Sequence, residues 1–277
     1  MDKLGLGLVG VALNVTGNYP GEAAELEALG YSAIWLPGGQ IDDLGRLADI
    51  VQATEKVRAG AAIISADVYS PDSVSRLWAD LEQTAPGRLV VGLGGPQQPK
   101  SLPALNRYLD QLDQAEPPLP ARRRLLAALG PRKLRLARDR CAGAILLLVT
   151  PEYIAAARQT LGGHCSLVVD QMLVADTDPV RARNTARRPL RFLASLPGYA
   201  ASFTRMGFTG TDVAELTDTL VDDLIIWGDA DTISARIQQR LQAGADHVIL
   251  HVLSEGSQPG GAEVARHLAG RLLSLTD

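Results

Sequence analysis

Cysteine is almost absent from the 277 residues: only Cys141 and Cys165 occur, both in or beside apolar segments, and they form no C-x-x-C pair. That excludes a disulfide framework and reads as two buried thiols in a reducing cytoplasm. Histidine is equally scarce, at 164, 247, 251 and 267. Apart from the adjacent His164 and Cys165, none stands at a zinc-ligand spacing from a cysteine, so no metal is expected. No run approaches the roughly 18 uninterrupted apolar residues of a membrane-crossing helix, so no membrane span is expected. Glycines interrupt the apolar N-terminus, which carries an acid at Asp2 and lacks a small-residue cleavage pattern; it reads as a first core strand. Positive charge is not in excess either. The formal net charge is -4, which gives nucleic acid and acidic lipid no general electrostatic attraction.

A dinucleotide fingerprint is also incomplete. Residues 87–100 read GRLVVGLGGPQQPK, an apolar run ending in a glycine cluster, but Gln97 stands where the third glycine would be. Pro96 and Pro99 oppose an immediate long helix there. Two readings of the Gly94, Gly95 turn stay open: a tight exit turn, or a place where a flat ligand approaches bare backbone.

What the chain does have is rhythm. Short β-like apolar runs alternate with longer helical stretches, the signature of parallel βα units, and 46% hydrophobic residues suffice for one large core. Eight strands are expected, at 4–9, 32–36, 57–64, 89–93, 124–128, 143–149, 166–174 and 247–253. Between them GEAAELEALG closes a helix at Gly30, and Ser70-Pro71 and Thr150-Pro151 each pair a good N-cap with a good first helical residue. Further helices are expected at 44–54, 102–114, 131–140, 178–193, 232–244 and 262–273, with Pro189 kinking or splitting the helix at 178–193 that follows the seventh strand. Residues 197–231 read as an irregular, partly helical insertion. The expected fold is a single α/β domain over 1–277, a (β/α)8 TIM barrel; its ligand face lies at the carboxyl ends of the strands, which is where Gly94 and Gly95 fall.

Several stretches, in order, carry a resemblance. GLGLVG, AAELEALGYSAIWLPGG, APGRLVVGLG, LAALGPRKLRLARDRCAGA, LVTPEYIAAARQTLG and LQAGADHVILHVL together resemble the luciferase-like flavin and deazaflavin oxidoreductases. More narrowly, AALGPRKLRLA, LVTPEY, LPGYAASFTRMGF and AGADHV resemble an actinobacterial subgroup of coenzyme F420-dependent oxidoreductases. The resemblance implies a bacterial luciferase-like barrel holding F420, or FMN in relatives, with hydride passing through the ring to or from a small organic substrate. It implies a non-proline cis peptide at about Ala61 to Ala62, with small side chains leaving room for the ring. It places the cofactor phosphate near Leu129, Gly130 and Lys133, with Val149 and Thr150 opposite. The residue chemistry agrees: a helix N-terminus presents unpaired N–H groups, and Arg132 and Lys133 add charge in its first turn. A homodimer is implied, and, for an FMN-dependent monooxygenase, a flavin reductase as partner.

The family pattern also breaks. Where its F420 members carry an Asp-His pair after strand two, this chain has Pro37, Gly38, Gly39 and Gln40, and an acid of the strand-four loop is replaced by Gln97. Glycine transfers no proton, so the catalytic residue is left unassigned. The barrel either serves a substrate that needs no protein acid or has lost catalysis. His251 and Asp67 are the remaining ionisable candidates at the mouth. Alternation along HVILHVL would turn His251 outward, and Asp67 would cap a turn. Trp35 is read as core, His247 as structural, and the arginines at 122–124 and 181–191 as solvated faces.

Overall fold

The computed structural model describes residues 4–95 and 101–276. In chain order its strands are β1 (Val9–Ala12), β2 (Ala33–Pro37), β3 (Arg58–Ala62), β4 (Ile64–Ser65), β5 (Leu89–Gly94), β6 (Arg124–Ala127), β7 (Gly143–Leu147), β8 (Ser166–Val174), β9 (Ile226–Trp227) and β10 (His247–Val252). Every pairing among them is parallel. β10 pairs both β1, through Val9 and Val248, and β8, through His247 and Val168, which closes the sheet into a ring. Eight strands make that ring. β4 continues β3 onto β5, and β9 pairs only the end of β8. The (β/α)8 barrel expected from the rhythm is thus present, with Ser166–Val174 as a barrel strand.

The helices are α1 (Tyr19–Ala28), α2 (Gly45–Ala53), α3 (Pro71–Thr84), α4 (Ser101–Gln114), α5 (Pro131–Arg140), α6 (Pro151–Leu161), α7 (Pro179–Ser195), α8 (Pro197–Arg205), α9 (Gly210–Glu215), α10 (Asp218–Leu224), α11 (Ala230–Gln242) and α12 (Gly261–Leu272). The two Ser/Thr-Pro starts form as their chemistry dictates: the Ser70 hydroxyl accepts from the Ser73 amide and the Thr150 hydroxyl from the Tyr153 amide. Gly30, just past α1, takes a φ of +106°, the conformation that favours glycine after a helix.

Four expectations are corrected. The first strand is Val9–Ala12, not 4–9: Gly5 and Gly7 have φ of +64° and +69°, which breaks an extended run, and Leu4 and Leu6 pack into the barrel core instead. Pro189 does not split α7, which runs unbroken from Pro179 to Ser195. Its Ala182, Ala186 and Leu190 are fully buried, and that packing offsets the lost backbone hydrogen bond. The arginines are not merely solvated. Arg183 pairs Asp218 and Asp222, and Arg187 pairs Asp218, so α7 is tied to α10. Arg124 is buried and pairs Asp113. The stretch 197–231 is more regular than expected, forming α8, α9, α10 and β9, which pack with α7 around Phe203 and Leu220.

Inside the ring, Trp35 is fully buried and its indole N–H donates to His247 Nε2 at 3.0 Å. Gly10 and Gly60 sit where a Cβ would run into His247 and Trp35, so the small residues of β1 and β3 make room for the large ones of β2 and β10. Both side chains are core, as read.

Candidate functional site

A cavity of about 590 Å³ opens at the carboxyl ends of the strands, a size that suits a small-molecule or cofactor site. Its walls are apolar where β3, β6 and β7 end: Ala62 and Ile63, Ala127 and Ala128, Ile145 and Leu147. Gly94 and Gly95 close β5 beside them. The peptide between Ala62 and Ile63 is cis, one residue later than expected.

The open question about the glycine turn has a structural answer. A Cβ at Gly94 would overlap the Ile63 side chain, and one at Gly95 would press on Leu105 at 3.2 Å. Gly94 is therefore bare so that Ile63 can lie across it, and the two residues form one smooth wall. Gln97 lies outside the described residues.

The rim is cationic. Gly130 is the N-cap of α5 and offers no side chain to the first amides of that helix, while Arg132, Lys133 and Arg205 stand around it. Lys133 makes no hydrogen bond or ion pair among the described residues, and burial lowers its ammonium pKa. The peptide preceding Gly130 is held in place, since Leu129 O accepts from Arg205 Nη2 at 2.6 Å and from Tyr153 Oη at 3.0 Å. A helix N-terminus, an oriented peptide and an unpaired ammonium together form a receptor for an anion.

The floor is different. Asp170 is the only acidic side chain lining the cavity among the described residues. It lies on the inner face of β8 and is almost wholly buried; its Oδ1 is 3.0 Å from His251 Nδ1. His251 does not turn outward. Val248, Leu250 and Val252 pack in the layer between strands and helices, whereas His247 and Ile249 face the barrel interior, and His251 follows their parity. Burial works to lower the His251 pKa, but the Asp170 charge and hydrogen bond outweigh it, and the net shift is upward. Tyr199, from α8, also lines the cavity; burial and then the Asp170 charge raise its phenol pKa.

Of the residues expected at a cofactor, the structure brings Ala62, Gly94, Gly95, Leu129, Gly130 and Lys133 to this cavity. It does not bring three others. Ala61 is fully buried in the layer facing the helices, because strand alternation gives it the opposite side from Ala62. Val149 is buried in that same layer, and Thr150 caps α6 at a separate depression that also contains Glu152 and Asp223. Asp67 is exposed, its amide bonded to Ser65 Oγ, in a turn as expected. Sequence reasoning missed Asp170, Tyr199 and Arg205. Asp170 alone carried a signal: one acid inside the apolar run SLVVDQMLV.

No protein-family model and no curated protein matches the chain. Solved structures do match over nearly its whole length. An F420-dependent secondary alcohol dehydrogenase, in complex with an F420-acetone adduct, aligns with a TM-score of 0.74 at 14% identity, covering 98% of this chain and 99% of that one. The coenzyme F420-dependent tetrahydromethanopterin reductase of Methanopyrus kandleri gives 0.73 at 15%, with coverage of 98% and 99%. The FMN-bound oxygenating constituent of 3,6-diketocamphane monooxygenase from Pseudomonas putida gives 0.64 at 11%, with 96% and 99%. The fold that these three structures share is also the fold of this chain.

Proposed function

We propose that the barrel is an F420-dependent oxidoreductase that moves hydride to or from a small organic substrate. The observation that carries this reading is the unpaired Lys133 at the N-terminus of α5, on the rim of an otherwise apolar cavity. The residues present fit such a cofactor. Ala62, Ile63 and Gly94 give a smooth wall for a flat ring, and Gly130, Lys133 and Arg205 a cationic seat for its phosphate tail. When bound, F420 supplies the acceptor or donor of hydride. The protein binds and orients the partners and keeps water out, through apolar walls that favour close alignment. Ala61, Val149 and Thr150 are not needed in this arrangement.

FMN carries a phosphate too, and a structure holding it shares the fold, so a flavin monooxygenase served by a reductase is the second reading. A cytoplasmic homodimer completes the proposal, in keeping with the two buried free thiols and the resemblance to the actinobacterial subgroup. Titration of the protein with F420 and with FMN, followed by fluorescence, separates the two cofactors. Lys133→Ala is expected to weaken F420 by about tenfold or more, since a charge-assisted contact contributes roughly 1.5–3 kcal/mol. Equal affinity of wild type and Lys133→Ala at both low and high salt would move the phosphate away from α5.

A further inference from the structure

We propose that Lys133 is a nucleophilic amine that captures a phosphate-bearing aldehyde as a reversible imine at the rim of the strand-end cavity. The inference goes beyond the F420 reading and does not depend on it. It begins with the choice of side chain. Lysine occurs only as Lys3, Lys56, Lys100 and Lys133, and among the described residues every salt bridge to a carboxylate is made by arginine, apart from the one made by His251. An anion on the rim would be held better by a guanidinium, whose planar fork binds two oxygens at once, and the chain supplies two of these in Arg132 and Arg205. What lysine adds beside them is a nitrogen that can lose a proton and attack a carbonyl carbon.

The surroundings of Lys133 suit that chemistry. It is the third residue of α5, it lines the cavity beside Leu129 and Gly130, and it makes no hydrogen bond or ion pair among the described residues. The walls it shares are apolar, from Ala62 and Ile63 to Leu147. The titratable and charged groups at this end of the barrel are Arg132 on its own helix, Tyr153 of α6, Tyr199 and Arg205 of α8, and Asp170 with His251 at the floor. Burial lowers the Lys133 ammonium pKa, so at a given pH more of the amine is neutral than in a solvated lysine. Beside the amine, the uncapped first turn of α5 and the two guanidiniums make a seat for a dianion. A ligand that fills both places carries an aldehyde and a phosphate on a body whose remaining surface is apolar, as the walls require.

The capture balances without a redox partner. The amine lone pair forms a C–N bond to the carbonyl carbon, the C=O π pair moves to oxygen, and one N–H proton passes to that oxygen, giving a carbinolamine. The C–O bond then breaks, the remaining N–H proton leaves with the hydroxyl as water, and a C=N bond forms. Nothing is oxidised or reduced, and water reverses the sequence. Only the neutral amine begins it. Capture should therefore accelerate as pH rises through the Lys133 ionisation, with a midpoint below the roughly 10.4 of a free lysine side chain.

The test uses the full chain and its Lys133→Arg variant, with pyridoxal 5′-phosphate as the probe, 5′-deoxypyridoxal as its phosphate-free counterpart and inorganic phosphate as competitor. The imine is read by its absorbance and fixed with borohydride, and the modified lysine is located by peptide mass spectrometry. In wild type, Lys133 is expected to be modified before Lys56, an exposed lysine of the same chain. Relative to Lys56, loss of the phosphate should slow modification of Lys133 about tenfold or more, the scale of a lost charge-assisted contact, and inorganic phosphate should protect it. Lys133→Arg should keep the anion seat and lose the imine, because a guanidinium does not deprotonate. Even modification of Lys56 and Lys133 in wild type, equal selectivity of the two probes, or an unchanged imine yield in Lys133→Arg would each overturn the proposal. F420 titration of unmodified wild type is a separate reading: binding without capture removes this inference alone, and capture without binding removes the cofactor reading alone.

Discussion

Trp35→Ala is expected to remove about 3–5 kcal/mol of folding free energy, the range for deleting a large aromatic from a packed core. The indole is fully buried within the strand ring. Its near neighbours offer little to refill the space, because Gly60 on β3 has no side chain and the strand backbones are fixed by their ladders. The loss also removes a hydrogen bond. His247 Nδ1 lies 2.8 Å from the carbonyl of Gly7, so the neutral ring donates there and uses Nε2 to accept from Trp35. Trp35→Phe keeps much of the volume without that donor and should fall between wild type and alanine. Urea unfolding midpoints read all three; a loss below about 1 kcal/mol in Trp35→Ala would mean that the barrel closes around the void.

The fold was legible because hydrophobic periodicity and helix caps are local properties. Each of the eight ring strands overlaps or adjoins an expected run, and Ser70-Pro71 and Thr150-Pro151 open helices where their chemistry says. The errors have physical causes. Leu4 and Leu6 looked like a strand by composition, but glycines with positive φ make the segment a plug of the core. Pro189 looked like a breaker, yet the burial of one helix face and the ion pairs to α10 hold α7 together.

The cationic rim was partly legible, since glycine, proline and two cations in succession signal an anion-binding helix start. Arg205 was not, because it reaches Leu129 across 76 residues and only the docking of α8 brings it there. Asp170, and the inward orientation of His251, escaped for a subtler reason. Alternation tells which residues of a strand share a face, but not which face is inside. The direction of β10 follows from His247, whose contact with Trp35 puts the odd positions inward, and a residue contact of that range is not written in either strand alone. Once it is known, Asp170 and His251 are seen to meet on the inner faces of β8 and β10.

Gly38 explains why that pair lies elsewhere, and its substitution is the second large effect. A Cβ at Gly38 would overlap Ile63 O and stand 2.7 Å from Ile63 N, and both are backbone atoms that cannot swing aside as a side-chain tip can. Gly38→Ala is therefore expected to cost about 1–3 kcal/mol or more through overpacking. If the cavity holds F420 as proposed, the substitution should also weaken it, because displacement of Ile63 distorts the wall over Gly94. Gly39 is the internal control. Nothing lies within 4 Å of the Cβ it would carry, so Gly39→Ala should stay within about 0.5 kcal/mol of wild type. The two neighbouring substitutions thus separate a close-packing requirement from a general intolerance of the turn Gly38–Gln40. Thermal unfolding and F420 titration of both variants read the difference. Equal stability and equal affinity would show that Ile63 moves freely, and position 38 could then have carried an acid-base side chain after all. A loss confined to Gly38→Ala would show that this packing leaves no room for a side chain at position 38, whereas position 39 has space for one.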